Sequence, residues 1–397
     1  MLRQSKHIEA QNSILTLSGS IYEIYERVLW IIKEYCNRLK IHNTLYVIGS
    51  VAKGELSCIR LCTSEDGCFF KISDLDLLIF TDTFSYVKCT ILRCDRYIEE
   101  IEKACFRRNI KLDISFALLP LWIYRVGLFK VNSIDLYELA PVLCFEGKRV
   151  CKVLQKNRLI TITNIDKYDL LNLALSSFID FLSVYLDSER ELENNDIYTL
   201  SKRILTLLYC AELYLGLKPR SYIEASLIAV ANVESLKNIV DKDDIELLNY
   251  IVKVKSDVEC RELHEVQLLR KENLVALYKK LLRRFLKLFF DNSDDSVSKL
   301  TFVKKEYLIP RGKLLALLFF YVGLYMIEKL VHEDTSRLRD ELIIMIRYKM
   351  RLHDFLRMLA LKYAILLLFD ECLVIKNPNF RKAGLELVRL WYKYMVL

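Results

Sequence analysis

Glycine and proline are scarce, ten and five in 397 residues, which excludes collagen-like, linker-rich and low-complexity organisation. With so few breakers, long helices should dominate wherever no sheet intervenes. Long apolar runs are missing too. The longest uncharged one, Leu314 to Ile327, has fourteen residues and falls short of the roughly 20 that span a bilayer, so a buried helix and no membrane span is expected, with an interfacial location as the minor alternative. The stretch from Met1 to Gln11 is polar, and no apolar run with a small-residue cleavage site follows it, so the expected location is cytoplasmic. Twelve cysteines in that compartment should be reduced and mostly buried. Cys58, Cys62 and Cys68 crowd together, but their C-x3-C-x5-C spacing has no C-x2-C knuckle and no nearby His, which argues against zinc. Glutamine is scarce as well, a habit of heat-loving organisms, in which a Cys62 to Cys68 disulfide is conceivable.

What is present is core-forming material: 53% hydrophobic and 28% charged residues, a folded composition of a length that suggests two or three domains. The chain centres on Val47 to Phe80. Leu45 to Ile48 is apolar and β-prone, Gly49-Ser50 breaks it, and Ile72 to Phe80 (I-S-D-L-D-L-L-I-F) resumes a strand. Strand alternation places Asp74 and Asp76 on one face and Leu75, Leu77 and Ile79 on the other. Two carboxylates on one face suit a hard divalent cation such as Mg²⁺, which is usually held by one or two carboxylates plus substrate phosphates. A strand ending in Gly-Ser can aim N–H groups and a hydroxyl at those phosphates. Ile110 to Phe116 (I-K-L-D-I-S-F) also alternates, which places Asp113 with Lys111 and Ser115. If this strand pairs beside the first, three carboxylates converge.

Together Gly49-Ser50, Gly54-Glu55, Ser73-Asp74-Leu75-Asp76 and Asp113 resemble the polymerase-beta-like nucleotidyltransferase superfamily, over about residues 40 to 160. The resemblance implies that Gly49 and Ser50 hold the triphosphate of an NTP. It also implies that Asp74 and Asp76 bind two Mg²⁺ (or Mn²⁺) ions, and that Asp113 binds the catalytic metal and draws the proton from the acceptor. Lys53 stands where relatives often have Arg, and the 24 positions from Ser50 to Asp74 exceed the family's usual gap. Two β-prone runs, Ser57 to Thr63 and Cys68 to Ile72, flank Ser64-Glu65-Asp66-Gly67 and fill that gap as a hairpin. It is expected to overhang the site as a flap or acceptor contact outside the catalytic sheet.

Helices are expected at Ile21 to Leu39, Val87 to Arg108 (stopping at Asn109), Tyr168 to Leu186, Ile197 to Leu215, Ile223 to Val240, Ile245 to Val254 and Leu263 to Phe290. The resemblance also implies that a helical turn at Ile134 to Leu139 and a strand ending at Gly147 close the catalytic domain. The sequence therefore predicts an α+β protein: a small mixed-sheet domain at 1–160 with a hairpin insertion at 55–73, a helical domain at 161–290, and a basic helical domain at 291–397 after the linker 291–298. By resemblance to kanamycin-type enzymes, Lys202 is the nucleotide-contacting cation of the helical segment. From Arg270 onward, 25 Lys and Arg face 14 acids, with clusters at Lys279, Lys280, Arg283, Arg284 and Lys287 and at Arg347, Lys349 and Arg351. Such surfaces attract a polyanion such as RNA, although Lys and Arg also simply solubilise helices. The expected activity is NMP transfer from an NTP to a hydroxyl of RNA, a small molecule or a protein. The alternative is an inactive nucleotide-sensing or partner-binding scaffold of the same fold.

Overall fold

A computed structural model describes residues 21–40, 43–53, 55–63, 67–91, 94–120, 133–134, 143–146, 149–152, 165–186, 192–256 and 267–289. The linker at 291–298, the basic domain that follows it, the turn beyond Ile134 and Gly147 lie outside the described residues. The chain divides into two compact units, Met1–Asp169 with Val252–Glu265, and Leu170–Ile251 with Val266–Leu397. The protein is a mixed α+β molecule, and among the described residues no helix is long and apolar enough to cross a membrane.

The first unit holds a five-stranded mixed sheet in the order β6-β4-β1-β7-β8, with β1 at Asn43–Ile48, β4 at Leu75–Thr81, β6 at Ile114–Pro120, β7 at Leu143–Glu146 and β8 at Arg149–Lys152. β1 runs antiparallel to β4 and β7, and β4 runs parallel to β6. Leu75, Leu77 and Ile79 are buried against Ile24, Val28, Ile31 and Ile32 of helix Ile21–Arg38. One apolar face of that helix thus backs one face of the central strand, and burial of such side chains is the main force holding the layers together.

A second sheet has the order β2-β3-β5, from β2 at Cys58–Thr63, β3 at Gly67–Ile72 and β5 at Ile110–Lys111. The hairpin has the expected strands, paired from Cys58↔Ile72 to Thr63↔Gly67. Its base is no detachable flap: Cys58 and Ile72 belong to the same core as the main sheet, and Phe69, also buried, meets the Phe106 ring at 5.4 Å. A Cys62–Cys68 disulfide ties the strands, so the expectation of reduced thiols fails here. It holds for Cys36, Cys89, Cys105 and Cys210, which are buried and form no disulfide.

The single strand expected at Ile72 to Phe80 is divided between the two sheets. β3 pairs with β5 as Lys71↔Lys111, whereas β4 pairs with β6 as Leu75↔Ile114. Three residues on one side therefore face two on the other, Ile72-Ser73-Asp74 against Leu112-Asp113. An extra residue of this kind is a bulge, which re-aims side chains and interrupts alternation. The alternation predicted for Asp74 and Asp76 is thus carried by the sheet only from Leu75 on. Ser73 fixes the switch. Its Oγ accepts from the Ser57 amide at 3.0 Å and lies 2.8 Å from the Ser57 hydroxyl, while the Tyr25 hydroxyl donates to its carbonyl at 2.5 Å.

The helix expected from Val87 to Arg108 is two, Thr83–Ile91 and Cys94–Phe106. The first starts early because Asp82 caps it, accepting from the Ser85 amide at 2.8 Å and the Ser85 hydroxyl at 2.9 Å, which satisfies a donor that a helix start leaves open. The stop at Asn109 is as read: its φ of 60° is left-handed, a conformation that Asn tolerates.

The described part of the second unit is helical, with helices Lys167–Leu186 (from Leu170), Asn194–Tyr214, Tyr222–Ala231, Ile245–Ser256 (to Ile251) and Lys271–Phe289. The helix expected to reach Val240 ends at Ala231 because Asn232 turns its side chain back, its Nδ2 donating to the Ile228 carbonyl at 2.9 Å. The last helix starts at Lys271, later than expected, after a short 3-10 turn at Gln267–Leu269. Its core stacks the Tyr278 ring on Phe181 at 4.0 Å.

Candidate active site

The site grows from the end of β1. Ile48 is the register partner of Asp76, so the chain must turn at Gly49 immediately beside that carboxylate. Gly49 has φ +69°, and a Cβ there would stand 2.5 Å from Asp76 Oδ2. Glycine is demanded twice, by the left-handed backbone and by the space the carboxylate occupies. Asp76 is half-buried and accepts from the Ser115 hydroxyl of β6. Asp74, also half-buried, lies in the bulge just before β4.

Asp113 sits beside this strand start, its carbonyl accepting from the Leu75 amide at 2.9 Å. Its carboxylate, 51% exposed, stands 4.0 Å from the Lys71 ammonium of β3. Glu102, which sequence reasoning passed over, holds the next residue from the other side, its Oε1 accepting from the Ile114 amide at 2.7 Å. Burial pushes the Glu102 carboxyl above its ordinary range; the Ile114 amide opposes this and the Asp113 charge adds to it. In sequence Glu102 is one acid among several on an amphipathic helix, and nothing marks it.

Ser50 Oγ accepts from the Lys255 ammonium at 3.1 Å, across 205 residues. Lys255 is fully buried on the last turn of helix Ile245–Ser256, whose residues from Val252 on belong to the first unit. A buried ammonium is costly unless its donors are met, so its presence beside Ser50 is a specific feature of this turn. The sequence hides it. Lys253 and Lys255 read as ordinary cations at a helix C-terminus, where the dipole favours them.

The structure therefore brings Gly49, Ser50, Asp74, Asp76 and Asp113 to one end of the main sheet. Lys202 belongs to the second unit, on helix Asn194–Tyr214, where its carbonyl accepts from the Thr206 hydroxyl at 2.8 Å. Among the described residues no three His, Cys, Asp or Glu side chains are grouped so that they could hold one ion. Asp76 is engaged by Ser115 and Asp113 faces Lys71.

The basic face read from sequence is partly consumed internally. Lys280 meets Asp241 at 2.5 Å and Asp244 at 2.8 Å. Arg284 meets Asp241 at 2.9 Å and donates to the Ile239 carbonyl at 3.1 Å. Lys279 lies over the Tyr185 ring at 5.4 Å, and burial pulls its ammonium below the usual lysine range. No family model matches the chain, and no curated protein and no solved structure matches it either.

Proposed function

We propose that the first unit is a nucleotidyltransferase domain that moves an NMP from an NTP to a hydroxyl acceptor with release of pyrophosphate. The observation that carries this reading is the Gly49–Asp76 junction, where glycine is required by a strand carboxylate. A serine hydroxyl and a buried ammonium flank it, and Asp113 stands at the start of the adjoining parallel strand. The donor chemistry fits Mg²⁺ or Mn²⁺: both are hard ions, and Mg²⁺ needs only one or two protein carboxylates when substrate phosphates and water complete the shell. Asp74 and Asp76 would hold the ion, with Asp113 joining them. When bound, the metal would neutralise the charge that develops on the leaving pyrophosphate and lower the cost of ionising the acceptor hydroxyl.

The protein's own groups do the rest. Ser50 donates to a phosphate oxygen while Lys255 supplies positive charge beside it, a point charge suited to phosphate. Asp113, its carboxylate half-exposed, takes the acceptor's proton. Gly49 keeps the backbone close enough for the triphosphate to lie against Asp76. With Lys280 and Arg284 already bound to Asp241, a small-molecule acceptor gains weight against RNA.

A second reading, an inactive nucleotide-binding scaffold, is favoured by the Ser115 and Lys71 contacts that already occupy two of the three carboxylates. The deciding experiment supplies labelled NTPs with Mg²⁺ or Mn²⁺, first with total RNA and then with a small-molecule extract. Label appearing on an acceptor supports the enzyme, and its position names the acceptor. Nucleotide that binds but never leaves label on any acceptor supports the scaffold.

A further inference from the structure

We propose that Lys71 is a cation competing with the metal for Asp113, so that the hairpin insertion sets how tightly this site takes a divalent ion. The inference rests on the nucleotidyltransferase reading and deepens it. Lys71 lies on β3, in the insertion that the family resemblance leaves without a role. The parallel pairing Lys71↔Lys111 brings it alongside β5, two residues ahead of Asp113, and its ammonium reaches to 4.0 Å from Asp113 Oδ2.

The strand that carries it is held at both ends. Ser57 and Ser73 lock the base of the hairpin, and the Cys62–Cys68 disulfide ties the tip. The Lys71 side chain is only 23% exposed, so its charge stays near the carboxylate. A positive charge at that distance satisfies part of what a metal would satisfy, and it repels an incoming cation. Asp113 faces the hairpin lysine, and among the described residues no three His, Cys, Asp or Glu side chains are grouped to share an ion. Metal uptake then exchanges the ammonium for the divalent ion at Asp113.

The test reads metal binding directly, as free Mn²⁺ by electron paramagnetic resonance in the presence of a non-hydrolysable NTP analogue. Lys71→Gln should tighten Mn²⁺ binding by about two- to fivefold, the worth of an exposed ion pair, while Lys71→Arg should stay near wild type. In an Asp113→Asn background the Lys71→Gln gain should vanish, because the carboxylate it liberates is gone. Thermal melts of each variant report whether the fold is kept. Unchanged or weaker binding by Lys71→Gln, or a gain that persists without Asp113, overturns the competition but leaves the nucleotidyltransferase reading standing. Wild-type protein that takes up no Mn²⁺ with the analogue present overturns both.

Discussion

In the helical unit Asp180 is paired with Arg203, with both side chains largely buried. Asp241 is held by Arg284 and Lys280, which keep its carboxyl below the usual range. In the sheet unit Asp76 accepts from the Ser115 hydroxyl, while Asp113 stands 4.0 Å from the Lys71 ammonium and stays half-exposed. The difference separates two uses of charge. A carboxylate clasped by a guanidinium has its electrostatic demand met within the fold, and removing it strands the partner. A carboxylate left part-solvated at the start of a strand, beside a glycine that makes room for it, keeps its capacity for a ligand.

The largest effect should come from breaking that contrast at both ends. Asp76→Asn should lower label transfer by at least about 10²-fold, the scale on which catalytic electrostatic groups act, with little change in melting. Asp180→Asn should do the reverse. It leaves Arg203 without its counter-charge and costs roughly 3–5 kcal/mol, seen as a lower urea midpoint, while residual folded protein keeps its transfer rate. Near-normal transfer by Asp76→Asn would sink the site assignment, and a stable Asp180→Asn protein would sink the contrast.

Much of the sheet unit was legible because its signals are local. The Gly49-Ser50 break, the pairing of Cys58–Thr63 with Gly67–Ile72 and the Asn109 stop each depend on residues within a few positions. The division of Ile72–Phe80 between two sheets was not, because it appears only when β5 and β6 are laid beside β3 and β4 and the register is seen to slip by one. Lys255 was out of reach for the same reason on a larger scale. Its meaning lies in a contact 205 residues away, while locally it is a helix-end lysine. The basic cluster misled in the opposite direction. Lys280 and Arg284 look like a ligand surface until the Asp241–Asp244 turn is folded against them.

Glu212 sharpens the comparison, because it is a helical-unit acid buried without a clasping cation among the described residues. It is fully buried, and neither carboxyl oxygen has a hydrogen-bond partner among the described residues. Burial, with Glu224 nearby, pushes its carboxyl up to about 8, so the fold neutralises it with a proton. Its folded value lies above its unfolded one. The folded state therefore holds a proton that the unfolded chain releases, and the contribution of Glu212 to stability is greatest below about pH 4.5 and falls as pH rises to about 8. At about 1.4 kcal/mol per unit, the loss is on the order of a few kcal/mol. Urea midpoints followed across that range should show the decline in wild type and a flat response in Glu212→Gln. A flat wild-type profile would mean that water or a cation reaches Glu212.

The smallest effect concerns the basic cluster and decides whether its charges are spent. Lys280→Gln with Arg284→Gln removes the partners of Asp241, whose carboxylate is itself partly exposed, so the cost should be only about 1 kcal/mol. The Asp241 carboxyl sits below its ordinary value in the folded protein. Its contribution is thus present above that ordinary value and lost as pH falls through the depressed one, and the double variant should lack this acid-side loss. If the two cations are closed into ion pairs, any RNA binding by the full chain should keep its salt dependence in the variant. Each phosphate contact steepens the decline of log K with log salt by about one unit. A slope shallower by about two would show that Lys280 and Arg284 leave Asp241 for phosphates, and the charges of the helical unit would then be as available as those at Asp74, Asp76 and Asp113.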